Sequence, residues 1–415
     1  MSIPKIKILA GSLVLLTVCS LLWSCSSRPY NTSKSKEPGK WVGTWATAPQ
    51  LVEPNNMPPK PGLANNTIRQ VVRVSIGGER LRLHFSNAFS KEPVTMKTVA
   101  VAVAREGSLI DASTQQILKF NGTEEVIMPP SGEVYSDPVA FTLAPGSRLA
   151  ITIYLGDTSP GITGHPGSRT TSYILSGNQI ESADFVNAVT TDHWYIINSI
   201  DVMADTGSFA IAALGNSITD GRGSGTNKQN RWTDILSEKL LNNTATRNIG
   251  VLNLGIGGNC VLRGGLGPTA LTRFDRDILS KSSIKWLLIL EGINDIGGIR
   301  NAENAPKVAR ELIEAYSLMA DKAHARGIKV YGCTILPFEK SFYDTPYRQQ
   351  ARDRVNEWIR TTNKLDAVID FDKVMRNPDD IKKIGSDWHD GDWLHPNQAG
   401  YKKMGEAIDL DLFTN

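Results

Sequence analysis

Serine, histidine and aspartate together make an alcohol nucleophilic, and they stand at two widely separated places in this chain. Ser217 follows the apolar run Phe209-Ala-Ile-Ala-Ala-Leu and the pair Gly215-Asn216, and precedes Ile218-Thr219-Asp220. Asp392-Trp393-Leu394-His395 supplies a carboxylate and an imidazole three residues apart. A serine hydroxyl attacks poorly at neutral pH. A neutral imidazole can take its proton and return it to the leaving group, while a carboxylate holds the imidazole tautomer. Three-residue spacing lets both side chains leave one turn on the same side. The chemistry implied is ester cleavage through an acyl-serine. Ser217 is the candidate nucleophile, His395 the base and Asp392 its partner.

Other chemistries fit these residues less well. A lone serine before a helix is commonly an N-cap, and only the company of Asp392 and His395 gives Ser217 a chemical role. The G-x-S-x-G elbow fails at Thr219, and a dinucleotide fingerprint after Gly255-Ile-Gly257 fails at Cys260. The Gly221–Gly225 run lacks the ending of a phosphate loop and reads as a flexible rim loop. His389, Asp390, Asp392 and His395 crowd one loop, but no helical H-E-x-x-H accompanies them. No metal and no cofactor are expected.

The elements that must position these groups show two rhythms. From Trp41 to about Asp205 the period is two. Val72, Val74 and Ile76, then Gly77-Gly78, then Leu81, Leu83 and Phe85 predict a hairpin. This half, residues 41–205, predicts an antiparallel β-sandwich. From Gly207 short apolar runs alternate with helical stretches. Strands are expected at 209–214, 249–254, 284–290, 328–334 and 367–371, with helices at 231–241, 268–279, 305–326, 347–362 and 397–410. That alternation predicts an α/β domain over 207–415, a parallel sheet covered on both faces. Ligands then bind beyond the carboxyl ends of the strands. Ser217, Gly258 and Asn294 each follow such an end.

Four blocks in order now make a family resemblance specific: Gly215-Asn216-Ser217-Ile218-Thr219, Asn253-Leu-Gly-Ile-Gly257-Gly258-Asn259, Gly292-Ile293-Asn294-Asp295 and Asp392-Trp-Leu-His395. Over roughly residues 207–412 the chain resembles the SGNH (GDSL-type) hydrolases. The resemblance implies a flavodoxin-like, three-layer parallel sheet. It also implies an oxyanion hole formed by the N–H groups of Ser217 and Gly258 and the side-chain amide of Asn294. Fixed donors there would meet the negative charge of the tetrahedral intermediate, and losing one costs about 10²–10³ in rate. A glycine at 258 suits close approach of backbone to substrate. The family usually has Asp where this chain has Asn216, which implies tuned rather than lost activity. Asp295 is expected to cap a turn or bond backbone.

In the N-terminal half, Trp41-Val-Gly-Thr-Trp45-Ala-Thr-Ala-Pro49 and Gly164-His165-Pro-Gly-Ser-Arg169-Thr-Thr-Ser-Tyr173 resemble a narrower, two-domain subfamily. It comprises arylesterases and acylhydrolases encoded with xylan-degrading enzymes in Bacteroidales. That resemblance implies an acetylated oligo- or polysaccharide substrate. His165 and Arg169 read as residues of a surface loop, with a substrate-contacting lid as the alternative. Trp41 and Trp45 read as packing residues of the sandwich or the domain interface, with a sugar-stacking platform as the alternative.

Lys5 and Lys7 precede an apolar run from Ile8 to Trp23 that ends at Ser24-Cys25. Leu22-Trp23-Ser24-Cys25 resembles a bacterial lipoprotein box. Residues 1–24 would then be a signal peptide, Cys25 the lipidated residue and 25–40 a polar tether. Ser26 in place of a retention Asp implies the outer membrane of a Gram-negative envelope, with the membrane reached through the lipid. The 415-residue chain carries a formal charge of +3 from 45 basic and 42 acidic residues, which offers no footprint for nucleic acid. Cys260 and Cys333, the two cysteines left after Cys19 and Cys25, are expected to be buried thiols. The enzyme reading is therefore a carbohydrate O-acetylesterase, with a broad arylesterase or lipase as the runner-up. The rival outside enzymes is a glycan-binding lipoprotein with a degenerate site, suggested by Asn216.

Overall fold

The computed structural model describes residues 39–414. The signal segment, Cys25 and nearly all of the proposed tether lie outside them. Five parallel strands organise the C-terminal half: β1 (Phe209–Gly215), β2 (Ile249–Gly255), β3 (Ile284–Leu290), β4 (Lys329–Cys333) and β5 (Ala367–Ile369). Their spatial order is β2-β1-β3-β4-β5, the doubly wound order with its switch point beside β1. Side chains along each strand feed two separate cores. Ala210, Ala212 and Leu214 face one, and Ile211 and Ala213 face the other. Leu287 and Ile289 divide from Trp286, Leu288 and Leu290 in the same way. Near-continuous apolar strands are what burial on both faces demands. The helices Ala305–His324 and Pro346–Thr361 cover the first face, and Trp232–Leu241 and Gln398–Ala407 the second. The three-layer α/β expectation holds.

The fifth strand stops earlier than its apolar pattern suggests. Asp370 accepts a hydrogen bond from Lys373 N–H at 3.1 Å and caps the helix Phe371–Met375. A capping carboxylate outweighs the β propensity of Phe371.

The N-terminal half is antiparallel. A five-stranded sheet has Lys40–Ala46 at one edge, paired with Ile197–Ala204, which in turn pairs with Gly78–Ser86. A seven-stranded sheet is built around Asn66–Arg73, Arg148–Leu155 and Val94–Val103. The expected hairpin about Gly77-Gly78 does not form. Asn66–Arg73 pairs with Arg148–Leu155 and Ser172–Ser176, whereas Gly78–Ser86 pairs with Ile197–Ala204 in the other sheet. Between them Ser75 N–H reaches Thr44 O, and Thr44 Oγ1 donates to Ile76 O at 2.6 Å, so the segment crosses from one sheet to the other. Alternation correctly reported two strands but could not name their partners.

The two halves meet through the first strand. Gly43 N–H donates to Ser282 O at 3.2 Å. A Cβ on Gly250 of β2 would stand 2.2 Å from Gly43 O. Backbone lies against backbone here, and glycine at 250 is a consequence of that approach. One hydrophobic core runs from Val42, Val72 and Ile200 through Leu252 and Leu254 into the face of the parallel sheet. Trp45 is buried in it, edge-on to Trp194 at 5.0 Å, which agrees with a packing role.

Candidate active site

Strand register sets the level at which the predicted residues emerge. Gly215 pairs with Gly255 and with Leu290, so β1, β2 and β3 end together. Ser217 lies two residues beyond its strand end, Gly258 three and Asn294 four. Ser217 opens the one-turn helix α1 (Ser217–Asp220), whose N-cap is Asn216. The Asn216 side chain accepts from Ile218 N–H at 3.1 Å, as a capping Asp would.

Ser217 Oγ is 2.8 Å from His395 Nε2, and His395 Nδ1 is 2.6 Å from Asp392 Oδ2. Ser217 and His395 are both buried. The second oxygen of Asp392 accepts from the N–H groups of Leu394 and His395 at 3.0 and 2.9 Å. Burial acts to raise the Asp392 carboxyl, but the bonds from the His395 ring and these N–H groups override it. They hold the group far below the usual carboxylate range. An ionised, acceptor-only Asp392 keeps the proton on Nδ1 and leaves Nε2 free to accept from Ser217. Trp393 takes a left-handed φ of 59° to close this tight turn, with His389 stacked on its ring at 4.1 Å and Lys340 over it at 4.8 Å.

Gly258 and Asn294 line one cavity of about 390 Å³, together with Cys260, Leu262, Arg263 and Tyr343. Gly258 has φ 69° at the third position of a turn that Asn259 N–H closes onto Ile256 O at 3.1 Å. That geometry requires glycine through its torsion, a stronger reason than the close approach to substrate expected from the sequence. The Asn294 amide is oriented from both ends. Its Nδ2 donates to Asn259 O at 2.8 Å, and Tyr343 Oη donates to its Oδ1 at 3.0 Å. One N–H of the amide remains to face the cavity. Asp295 accepts from the N–H groups of Val261 and Leu262, the backbone role expected of it. Cys260 and Cys333 are free and buried.

Several residues that hold this edge together carried no motif. Arg273, fully buried, donates to Leu254 O at 2.7 Å, Gly215 O at 3.1 Å, Asn259 Oδ1 at 3.0 Å and Asp277 at 3.2 Å. It thus clamps the ends of β1 and β2 to the Gly258 turn. Glu291 accepts from Asn216 Nδ2 at 3.3 Å and from Gly292 N–H at 3.1 Å. Burial pushes its carboxyl up to about 8 against the pull of Arg273. Asn253 ties β2 to Thr219 O at 2.6 Å. The available signals were a charge on the apolar face of a predicted helix at Arg273 and a lone carboxylate ending an apolar run at Glu291.

Two loops differ from expectation. The Gly221–Gly225 loop is packed against the histidine loop rather than free. A Cβ on Gly223 would lie 2.2 Å from Pro396 O, and Tyr401 Oη donates to Arg222 O at 2.6 Å. His165 is neither surface nor lid: it is buried and bonded to Asp220.

The GDSL-like Lipase/Acylhydrolase family matches residues 213–403, the segment that carries Ser217, Gly258, Asn294, Asp392 and His395. The match supports that family for the C-terminal half and, with it, hydrolysis of carboxylic esters as the reaction class. Among solved structures, a member of the lipolytic G-D-S-L family from Veillonella parvula is similar at 21% identity and a TM-score of 0.38. It covers 50% of this chain and 100% of that one. A catalytic mutant of an acetylxylan esterase from Geobacillus stearothermophilus is similar at 19% and 0.37, covering 48% and 93%. The lipase/acylhydrolase from Enterococcus faecalis gives 19% and 0.37 over the same shares. At these identities and scores none of them assigns a substrate to this chain. No curated protein sequence matches it.

Proposed function

We propose that the chain is a serine esterase of the GDSL-like type that removes O-acetyl groups from carbohydrates through an acyl-Ser217 intermediate. The observation that supports it most is the continuous hydrogen-bonded line from Ser217 Oγ through the His395 ring to Asp392. His395 Nε2 takes the Ser217 proton as Oγ attacks the ester carbon. The carbonyl oxygen becomes an oxyanion held by Ser217 N–H, Gly258 N–H and the Asn294 amide. As the first helical residue, Ser217 has an N–H without an intrahelical acceptor, which suits it to this task. Collapse breaks the ester C–O bond, and the imidazolium returns its proton to the departing sugar hydroxyl. Water, deprotonated by the same imidazole, then releases acetate and regenerates Ser217.

The carbohydrate assignment is supported by flat faces around the cavity. Phe342, 67% exposed, packs at 4.4 Å on Tyr343, which lines the cavity. Such rings suit the apolar faces of pyranoses. The N-terminal motifs Trp41–Pro49 and Gly164–Tyr173 support the two-domain, xylan-associated subfamily. The broader arylesterase or lipase reading draws on Leu266, 49% exposed, on the other side of Gly258. A degenerate binding protein is disfavoured because Asn216 caps the helix as an Asp would. The lipid anchor at Cys25 and an outer-membrane location are part of the proposal and rest on the sequence of residues 5–26. Among the described residues no helix is long and apolar enough to cross a membrane.

The test is acetate release from a panel of acetylated glycans by the wild type and Ser217→Ala. The substitution should lower turnover by at least about 10⁴, since the three groups act as a unit. Residual turnover near wild type would remove the acyl-serine. A preference for long acyl chains over acetate in an ester series would replace the deacetylase with the lipase.

A further inference from the structure

We propose that His165, from the N-terminal half, is a positioning residue for the esterase site: hydrogen-bonded at one ring nitrogen to Ala48 O and at the other to Asp220, it locks the turn that carries Ser217. The inference rests on the reading of Ser217 as nucleophile.

Both ring nitrogens of His165 are engaged. His165 Nδ1 lies 2.9 Å from Ala48 O, and a carbonyl oxygen can only accept, so Nδ1 carries a hydrogen. Nε2 lies 2.9 Å from Asp220 Oδ1. Burial acts to raise the Asp220 carboxyl, but His165, Arg169 and Arg231 outweigh it and the group is held below its ordinary value. His165 is 4% exposed and Asp220 3%. The two side chains therefore sit enclosed where the two halves meet. Arg169 Nη1 is 3.6 Å from the other carboxylate oxygen.

Asp220 is the last residue of α1, three after Ser217. A single turn cannot hold itself; helix nucleation is unfavourable and four residues are far short of a stable helix. Its support comes from outside. Arg231 Nε donates to Asp220 O at 2.9 Å, and Arg231 Nη2 also bonds Ser168 O in the loop after His165. Asn253 holds Thr219 O, and His165 holds the Asp220 side chain. The loop Pro166–Ser168 is shaped to this contact. A Cβ on Gly167 would fall 2.0 Å from Asp220 Oδ2, while Gly167 itself has an ordinary φ of −77°. Its need for glycine is thus spatial, and it points at Asp220. Removing the imidazole takes the 2.9 Å hydrogen bond from a buried carboxylate, a loss the turn would relieve by moving. A displacement of about 1 Å in a reacting group can cost about 10² in rate. The N-terminal half would in this way set the 2.8 Å contact between Ser217 and His395.

The experiment uses the full chain with His165→Ala, Gly167→Ala and Asp220→Asn, each checked by circular dichroism and melting temperature. Hydrolysis of p-nitrophenyl acetate gives kcat and KM, and labelling by a fluorophosphonate gives the reactivity of Ser217 directly. His165→Ala and Gly167→Ala should lower kcat and the labelling rate by about 10- to 100-fold, with KM moved less than about 3-fold. Asp220→Asn should lose less than about 5-fold, because its amide can donate to Nε2 of an imidazole protonated only on Nδ1. A purely structural role would lower the melting temperature and leave kcat and labelling unchanged below it. Wild-type kcat in folded His165→Ala or Gly167→Ala would overturn the proposal, as would a loss in Asp220→Asn as deep as theirs. Should His165→Ala not fold, the other two variants decide. Ser217→Ala in the same assay separates the two levels: if it stays active the esterase reading fails, and if it is dead while His165→Ala is normal only this inference fails.

Discussion

The histidine arm and the nucleophile turn meet at one 2.8 Å hydrogen bond, yet they are held by different means. The arm is almost self-contained. Asp392 bonds the ring and the backbone N–H of His395 and the N–H of Leu394, all within four residues. The turn depends on partners far away in sequence: His165, Asn253, Arg273 and Glu291 each reach it or the strand end beneath it. The difference follows from what each must do. The imidazole needs a tautomer and an orientation, which one carboxylate can impose. In the proposed mechanism the hydroxyl needs a fixed place relative to donors on two other strands, which only a rigid sheet edge can supply.

The largest test strikes the self-contained side. Asp392→Asn would present an amide N–H to Nδ1 and favour the wrong tautomer, and loss of this carboxylate in serine hydrolases costs about 10⁴ in kcat. The melting temperature should change little, because Asn keeps the size of Asp392 and an oxygen that accepts from the N–H groups of Leu394 and His395. If stopped-flow and steady-state assays found a loss below tenfold, the arm would not be working as a unit.

A smaller effect is expected on the dispersed side. Tyr343→Phe removes the hydroxyl that orients the Asn294 amide but leaves the ring in place. A lost hydrogen bond of this kind is worth about 1 kcal/mol, so kcat should fall roughly 5- to 10-fold at unchanged KM. An unchanged kcat would mean that Asn259 O alone orients the amide.

The smallest effect is on stability, and it concerns Glu291. The folded protein holds this proton to about pH 8, while the unfolded chain releases it near the ordinary value of 4.5. Between these the unfolded state binds fewer protons, so stability falls as pH rises, and the fall ends above about pH 8. Glu291→Gln has no proton to lose. Calorimetry at pH 5 and pH 8 should show a smaller drop in melting temperature for the variant than for the wild type. An equal drop in both would assign the pH dependence to other groups.

The same division explains what could be read in advance. All five parallel strands were legible because each is an apolar run of strand length between helical patterns, and their carboxyl ends named the edge where chemistry would gather. Asp392 and His395 were legible because their relation is local. The hairpin about Gly77-Gly78 was misread because alternation encodes a face, never a partner, and both strands found better neighbours in different sheets. His165 was misread as a loop residue because Gly and Pro around it are also the marks of an exposed turn. Arg273 was passed over because one buried cation among apolar neighbours has no pattern to repeat.

The order of residues along the chain thus determined the kind of chemistry, the parallel sheet and the shape of the histidine loop, since each depends on spacings of a few residues. Which strands pair in the sandwich, and which distant side chains brace the serine turn, was decided only by the folded molecule. The bracing contacts join residues 34 to 75 positions apart, and no short-range spacing carries the energy that selects them.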